Sequence, residues 1–190
     1  MVRVGIFGAT GYTGYELVKI LSQHPQAAIV FATSQASAGQ TLDVMYPQAP
    51  RLPLILGEEA PLDQVDVVFL CLPHAAAAET AVSALQSGCK VIDLSADFRI
   101  KDVAVYEKWY KVTHPAPALL AEAVYGLTEF ARDALPQTRL VANPGCYTTT
   151  SLLALQPIMA AGVKTTGDII IDAKSGVSGA GRNPAANTHF

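Results

Sequence analysis

Val2-Arg3-Val4-Gly5-Ile6-Phe7-Gly8-Ala9-Thr10-Gly11-Tyr12-Thr13-Gly14 is the stretch that decides the fold. Val2 to Phe7 is an almost continuous apolar run, the pattern of a strand covered on both faces in a parallel sheet. Three glycines at a spacing of three follow at once, and then a helical pattern from about Tyr12 to Gln23. Leu17, Val18, Ile20 and Leu21 supply its apolar side. Strand, glycine turn and helix in that order is the context a dinucleotide fingerprint requires. The spacing here, G-x-x-G-x-x-G, is a variant of the commoner G-x-G-x-x-G. Glycines let backbone approach a pyrophosphate, whose charge the helix N-terminus stabilises. Gly8, Thr10, Gly11, Tyr12, Thr13 and Gly14 are therefore assigned to cofactor binding, against the plain alternative of a tight turn with no ligand.

A second strand, Ala28 to Ala32, ends at Thr33-Ser34-Gln35. An NAD-selective site places a carboxylate about 20 residues beyond the fingerprint, on the ribose 2′-hydroxyl. This chain has hydroxyls and an amide there, and no acid until Asp43. Ser34 can donate to a 2′-phosphate that a carboxylate would repel, so the reading favours NADP. Residues 39 to 61 read as loop, with a short apolar piece at Leu52 to Leu56. Val65 to Leu72 reads as a buried strand ending in Pro73-His74, and a helix is expected from Ala75 to Ser87. Lys90 to Leu94 is a further strand, running into Ser95-Ala96-Asp97-Phe98-Arg99.

These alternations give an α/β fold, a Rossmann-type doubly wound parallel sheet. Ligands sit beyond the carboxyl ends of such strands. Pro73, His74 and residues 95 to 99 thus join the glycine loop on one rim. His74 has a plainer reading as a capping or packed histidine, and Arg99 as a surface partner of Asp97 or Asp102. Tyr106, Trp109 and Tyr110 have helical spacing and read as packing.

Asn143-Pro144-Gly145-Cys146-Tyr147-Thr148 follows a short strand, Leu140 to Ala142, and precedes a helix carrying Leu152, Leu153, Leu155, Ile158 and Met159. Pro144 and Gly145 break the strand, so Cys146 falls at the first helical turn. Unpaired N–H groups and the helix dipole favour the thiolate there, the reactive form of cysteine. Cys71 and Cys89 read as buried. Asp168 to Ser175 is expected to be a strand with Asp172 and Lys174 on its polar side. Ser175 to Arg182, rich in glycine and closed by an arginine, suits an anion-binding nest or a flexible connector.

The 190 residues are 51% hydrophobic and 15% charged, enough for a large core. A net charge of −3 with no basic run speaks against a nucleic-acid partner. Three scattered cysteines make neither a disulfide framework nor a metal cluster, and suggest a reducing compartment. A strand beginning at Val2 leaves no room for a leader, and no apolar run reaches the roughly 18 residues of a membrane span. A cytoplasmic protein without a membrane partner is expected.

Taken together, GATGYTGYEL at 8–17, LPH at 72–74, DLSADFR at 93–99, VYGLTEF at 124–130, ANPGCYTT at 142–149 and KSGVSGAGR at 174–182 resemble one family. It is that of the N-acetyl-gamma-glutamyl-phosphate reductases, within the aspartate-semialdehyde dehydrogenase superfamily. The resemblance spans essentially the whole chain. Two departures are Ala75, where a glycine commonly follows LPH, and Thr128, where proline is usual. Neither touches the chemistry.

The resemblance implies NADPH-dependent reduction of an acyl phosphate to an aldehyde in arginine biosynthesis, with Cys146 as the nucleophile and a thioester as intermediate. Ser178 and Gly179 are assigned as further cofactor contacts; residue type and location make Asn143 a candidate for holding the nicotinamide or the substrate, and Arg99 or Arg182 for the substrate's carboxylate or phosphate. A dinucleotide domain over 1–145 would be followed by the start of a catalytic and dimerisation domain over 146–190. The family's assisting histidine comes later than the SGAGR segment. Neither His114 nor His189 lies in its motif, so an incomplete second domain is expected, with the full-length form a dimer or tetramer. Three rivals stand beside this reading: the amino-adipyl-phosphate reductase of lysine biosynthesis, aspartate-semialdehyde dehydrogenase, and a non-catalytic NADP-binding fragment. Pro144-Gly145 and the SADFR segment speak against the second.

Overall fold

β1 (Val2–Phe7) is buried from Val4 onward, and its alternate side chains feed two different cores. In this computed structural model, which describes residues 1–182, Val4 and Ile6 face one way and Phe7 the other. That is the two-sided burial expected of a central parallel strand. α1 (Tyr12–Ser22) returns over the first face and seats Val18 against Val4, Ile6 and Ala32. The valines and Ile6, fully withdrawn from water, each contribute roughly 1.5–3 kcal/mol.

β2 (Ala27–Thr33) pairs parallel with β1. α2 (Leu42–Met45) and β3 (Leu54–Ile55) then form inside the stretch expected to be loop, with β3 parallel to β2. Leu42 and Leu54 are their buried anchors. β4 (Val67–Leu70) crosses to the other side of β1, and α3 (Ala77–Gln86) packs Ala77, Ala81, Ala84 and Leu85 onto the second face. β5 (Lys90–Asp93), α4 (Val103–Tyr110), α5 (Pro117–Glu122), β6 (Val124–Tyr125), α6 (Thr128–Ala131) and β7 (Leu140–Ala142) complete the sheet. Its order is β3-β2-β1-β4-β5-β7-β6, and every pairing between these strands is parallel.

Val68, Leu70, Val91 and Leu140 are buried in the second core beneath α3. On the opposite face, Val67, Phe69, Ile92 and Val141 are only half-buried and line a cavity of about 350 Å³.

The chain divides into two units, Met1–Asn143 and Pro144–Phe190. The second holds α7 (Cys146–Ala160), in which no residue is buried, and a short 3-10 turn at Val177–Ala180. The strand expected over Asp168 to Ser175 does not form, and Ile170 is 89% exposed. A strand needs a neighbour for its N–H and C=O groups, and among the described residues the sheet's ladder includes no segment that follows β7 in the chain. Asp172 and Lys174 pair with each other rather than forming one side of a strand. His189 lies outside the described residues.

Two glycines fix how closely α1 approaches the turn before it. Gly8 has φ +77°, and a Cβ built on it would stand 2.3 Å from the Cys71 carbonyl oxygen. A Cβ on Gly14 would stand 2.3 Å from the Gly8 oxygen and 2.7 Å from Ala9 Cα. Both obstacles are backbone and cannot swing aside. Gly14→Ala is therefore expected to destabilise the fold by about 1–3 kcal/mol through overpacking. The readout is the urea midpoint at unchanged slope, and an unshifted midpoint would show that the helix and turn are not in this contact.

Candidate functional site

At the carboxyl end of β1 the glycine turn is tied to β2. Ala9 N–H donates to the Thr33 carbonyl at 3.0 Å, and Gly8 N–H to Thr33 Oγ1 at 3.3 Å. Thr10 Oγ1 and Ser34 Oγ share a hydrogen bond at 3.0 Å, and the Tyr46 hydroxyl donates to the Thr10 carbonyl at 3.0 Å. Tyr46 also stacks on Tyr15 of α1, with ring centroids 3.9 Å apart. The turn is thus braced from beneath and from the side.

Gly11 occupies the N-cap of α1 with no side-chain cap, and the first turn carries no acid. Its N–H groups and the positive end of the helix dipole suit an anion. An uncapped helix start at Gly11, free of acids in its first turn, is the fit a pyrophosphate needs. Tyr12 and Thr13 stand in the same first turn. Ser34 is 3% exposed, its hydroxyl engaged with Thr10. Asp43 lies in α2 with Oδ1 buried and lacking a hydrogen-bond partner.

Across the switch in strand order, the loops after β4 and β5 are tied together by Asp97, a rim residue to which the sequence assigns no role. The Asp97 carboxylate, 0% exposed, accepts N–H bonds from Ala75 at 2.8 Å and from Ala77 and Ala78 at 3.1 Å. It thereby caps α3 from another loop. Ala75 has φ +66°, the left-handed region that glycine adopts freely and alanine does not. The residue whose place glycine commonly takes therefore sits where glycine is favoured.

Pro73 and His74 are exposed on this loop. Ala96 N–H donates to His74 Nδ1 at 3.1 Å, which puts the ring proton on Nε2. His114, expected to have no part in the site, is buried beneath it. Ala116 N–H donates to its Nδ1, so Nε2 donates to the Asp97 carbonyl at 2.9 Å.

Arg99 does not pair with Asp97 or Asp102. Its Nε donates to the Asn143 carbonyl at 2.8 Å and its Nη2 to the Leu94 carbonyl at 2.9 Å, while Asp102 caps α4 through Val105 N–H. Asn143 is drawn in further by its own N–H, which donates to the Asp93 carbonyl at 2.8 Å. Tyr106 is packed as expected, but Trp109 is 71% exposed because α4 turns that side to solvent. Asp93 itself is buried and accepts from Ser95 N–H and Ser95 Oγ, both at 2.9 Å. Burial pushes its carboxyl up from the ordinary 3.8 to about 6, against the opposing Ser95 hydrogen bonds. Acids at and just beyond the end of a strand, beside small residues, were the available signal for this pair.

In the second unit, Cys146 is the first residue of α7 and is exposed. Gly145 at the N-cap supplies no side chain, and no acid stands in the first turn. Thr148 Oγ1 donates to the Gly145 carbonyl and Thr150 Oγ1 to that of Cys146, both at 2.9 Å. Ser178 and Gly179 lie in the 3-10 turn, Gly181 has φ +95°, and Arg182 is exposed. Among the described residues no cluster of three metal-ligating side chains occurs, and no helix is long and apolar enough to cross a membrane.

Residues 3–138 match the family described as semialdehyde dehydrogenase, NAD binding domain, and residues 146–190 the semialdehyde dehydrogenase dimerisation domain. The whole chain is 50% identical to an N-acetyl-gamma-glutamyl-phosphate reductase of Symbiobacterium thermophilum and 49% identical to one of Desulforudis audaxviator. It covers 55% and 56% of those two proteins. The chain thus spans about half the length of the curated relatives it matches. Among solved structures, aspartate semialdehyde dehydrogenase II of Vibrio cholerae, complexed with ASA, superposes with a TM-score of 0.64 at 25% identity. The match covers 85% of this chain and 47% of that one. The aspartate semialdehyde dehydrogenase of Candida albicans, solved with NADP, shares the fold at 17% identity and a TM-score of 0.60, with the same coverage.

Asp93 gives a pH signature. At pH 5 the unfolded carboxyl, with its ordinary pKa near 4, has lost a proton that the folded one, near 6, still holds. Its contribution is therefore most favourable below about pH 4 and is lost as pH rises through about 6. Relative to Asp93→Asn, the wild-type chain should lose on the order of 3 kcal/mol of unfolding free energy across that window. Denaturant unfolding of both at pH 4 to 7 is the check, and a constant difference would show that Asp93 titrates normally.

Proposed function

Because the chain belongs to the semialdehyde dehydrogenase family, we propose that it is the nucleotide-binding and nucleophile-bearing part of an NADPH-dependent acyl-phosphate reductase. Its substrate is N-acetyl-L-glutamyl 5-phosphate and its products are N-acetyl-L-glutamate 5-semialdehyde and phosphate, a step of arginine biosynthesis. Relatives with that name align along the full chain at about half identity. The observation that carries the chemistry is Cys146, exposed at the uncapped first turn of α7.

In this reading the Cys146 sulfur attacks the acyl carbon, the bond from carbon to the phosphate oxygen breaks, and phosphate leaves with the electron pair. A thioester remains on Cys146, so one difficult substitution is split into two easier ones. N–H groups of the first turn of α7 stabilise the oxyanion of each tetrahedral stage. A nicotinamide, when bound, would supply a hydride to the thioester carbon, and the C–S bond would then break to release the aldehyde and return Cys146 as the thiolate. Asn143 and Arg182 orient the substrate. Arg99, two of whose nitrogens are committed to backbone carbonyls, acts through Nη1 or by holding Asn143.

Gly8, Thr10, Gly11, Tyr12, Thr13 and Gly14 hold the pyrophosphate, with Pro73, His74, Ser178 and Gly179 as further cofactor contacts. NADP is the proposed form. Thr10 and Ser34 share one hydrogen bond, so the second hydroxyl proton of the pair remains to donate to a 2′-phosphate. Residues 1–145 form the cofactor domain and 146–190 begin the catalytic and dimerisation domain. The full-length enzyme is a cytoplasmic homo-oligomer, a dimer or tetramer.

The test is the reverse reaction: this chain with the semialdehyde, phosphate and NADP⁺, following NADPH absorbance. Turnover is expected to fall to background in Cys146→Ala while NADPH binding is retained. Equal turnover in that variant would remove Cys146 from the mechanism, and a wild-type chain that binds no NADPH would remove the cofactor reading.

A further inference from the structure

In a sheet of this order the dinucleotide lies across the switch between β1 and β4. Its adenosine ribose belongs on the β2 side, where Thr10 and Ser34 meet, and its nicotinamide half on the side of β4 and β5. The protein surface offered to that second half includes Pro73-His74-Ala75. Nothing in the local sequence of this segment fixes its conformation: Ala75 is in the left-handed region, which an alanine adopts only when its surroundings dictate it.

The dictating group is one carboxylate. Asp97 takes Ala75 N–H on Oδ1 and the N–H groups of Ala77 and Ala78 on Oδ2. The start of α3, which in such folds can also attract an anion, is therefore filled from within. Asp97 is in turn clamped by three groups. Ser95 Oγ accepts its N–H at 3.1 Å, His114 Nε2 donates to its carbonyl, and the Tyr106 hydroxyl donates to Oδ1 at 3.4 Å. The neighbouring Ala96 N–H holds the exposed His74 by Nδ1, leaving the ring proton on Nε2.

We infer that Asp97 is a positioning residue for the nicotinamide half of the cofactor: it holds Pro73-His74-Ala75 in the one conformation that meets that half, without touching the cofactor. The inference rests on the dinucleotide reading proposed above. It predicts a split that a general loss of stability would not produce, because the adenosine half is held by a different part of the rim.

Calorimetric titration of the chain with NADPH and with 2′,5′-ADP, which carries only the adenosine half, reads that split. Asp97→Asn keeps the side chain's shape but leaves one oxygen to accept where two did before. It is expected to weaken NADPH by at least about tenfold while 2′,5′-ADP stays within about twofold. Should Asp97→Asn fail to fold by circular dichroism, the double variant Ala75→Gly with Asp97→Asn carries the same test, since glycine accepts the left-handed conformation without strain. Parallel weakening of both probes, unchanged binding of both, or failure of both variants to fold would each make Asp97 merely structural and overturn the inference. A wild-type chain that binds neither probe would instead overturn the cofactor reading and the inference with it.

Discussion

The Asp97 carboxylate gathers four hydrogen bonds from two separate helices and the turn before one of them, in a place with no exposure to water. A buried carboxylate without hydrogen-bond donors is among the most unfavourable groups a fold can contain. Among the described residues no cation answers it. Backbone N–H groups at a helix start do, and they are aligned with the dipole that favours negative charge. The arrangement explains why α3 begins where it does, why Ala75 tolerates its backbone conformation, and why His114 and Tyr106 are buried so close to the rim. Moving any of these elements would leave a donor or acceptor unsatisfied in the interior.

The glycine turn obeys a different constraint, one of space. Gly8 lies against the carbonyl of Cys71, and Gly14 lies against the turn itself, so β1, β4 and α1 meet with no side chain between them. The consequence is an exposed row of α1 N–H groups that no side chain caps. Of the two helices that start at the centre of this rim, α3 is capped from within and α1 is left open. The fold thereby designates which helix end is available to a phosphate.

Much of this was legible in the residues. The run from Val2 to Gly14 carries both the strand and its turn in local sequence, and Leu140 to Cys146 does the same for the last strand and helix. What escaped reading depended on partners distant in sequence. α2 and β3 are held by single buried leucines, Leu42 and Leu54, in a proline-rich stretch whose local propensities speak for loop. Asp168 to Ser175 has the composition of a strand, but the described structure gives it no neighbour in the sheet. The plainer reading of Arg99, as a surface partner of Asp97 or Asp102, fails because backbone carbonyls claim it and α4 claims Asp102. The sequence places Asp97 on the rim with residues 95 to 99, but nothing local reveals that three N–H groups from residues 75 to 78 converge on it.

On the proposed cofactor reading, the Thr10–Ser34 hydroxyl pair bears on how the adenosine end would discriminate between nucleotides. Both groups are neutral, and two hydroxyls joined by one hydrogen bond keep a single proton to offer. Whatever preference the pair confers comes from a directed, short-range donor rather than from a field. Attraction between separated charges decays with added electrolyte, whereas a neutral donor in a site shielded from water is barely screened. The share of nucleotide selectivity that belongs to this pair should therefore be nearly indifferent to ionic strength.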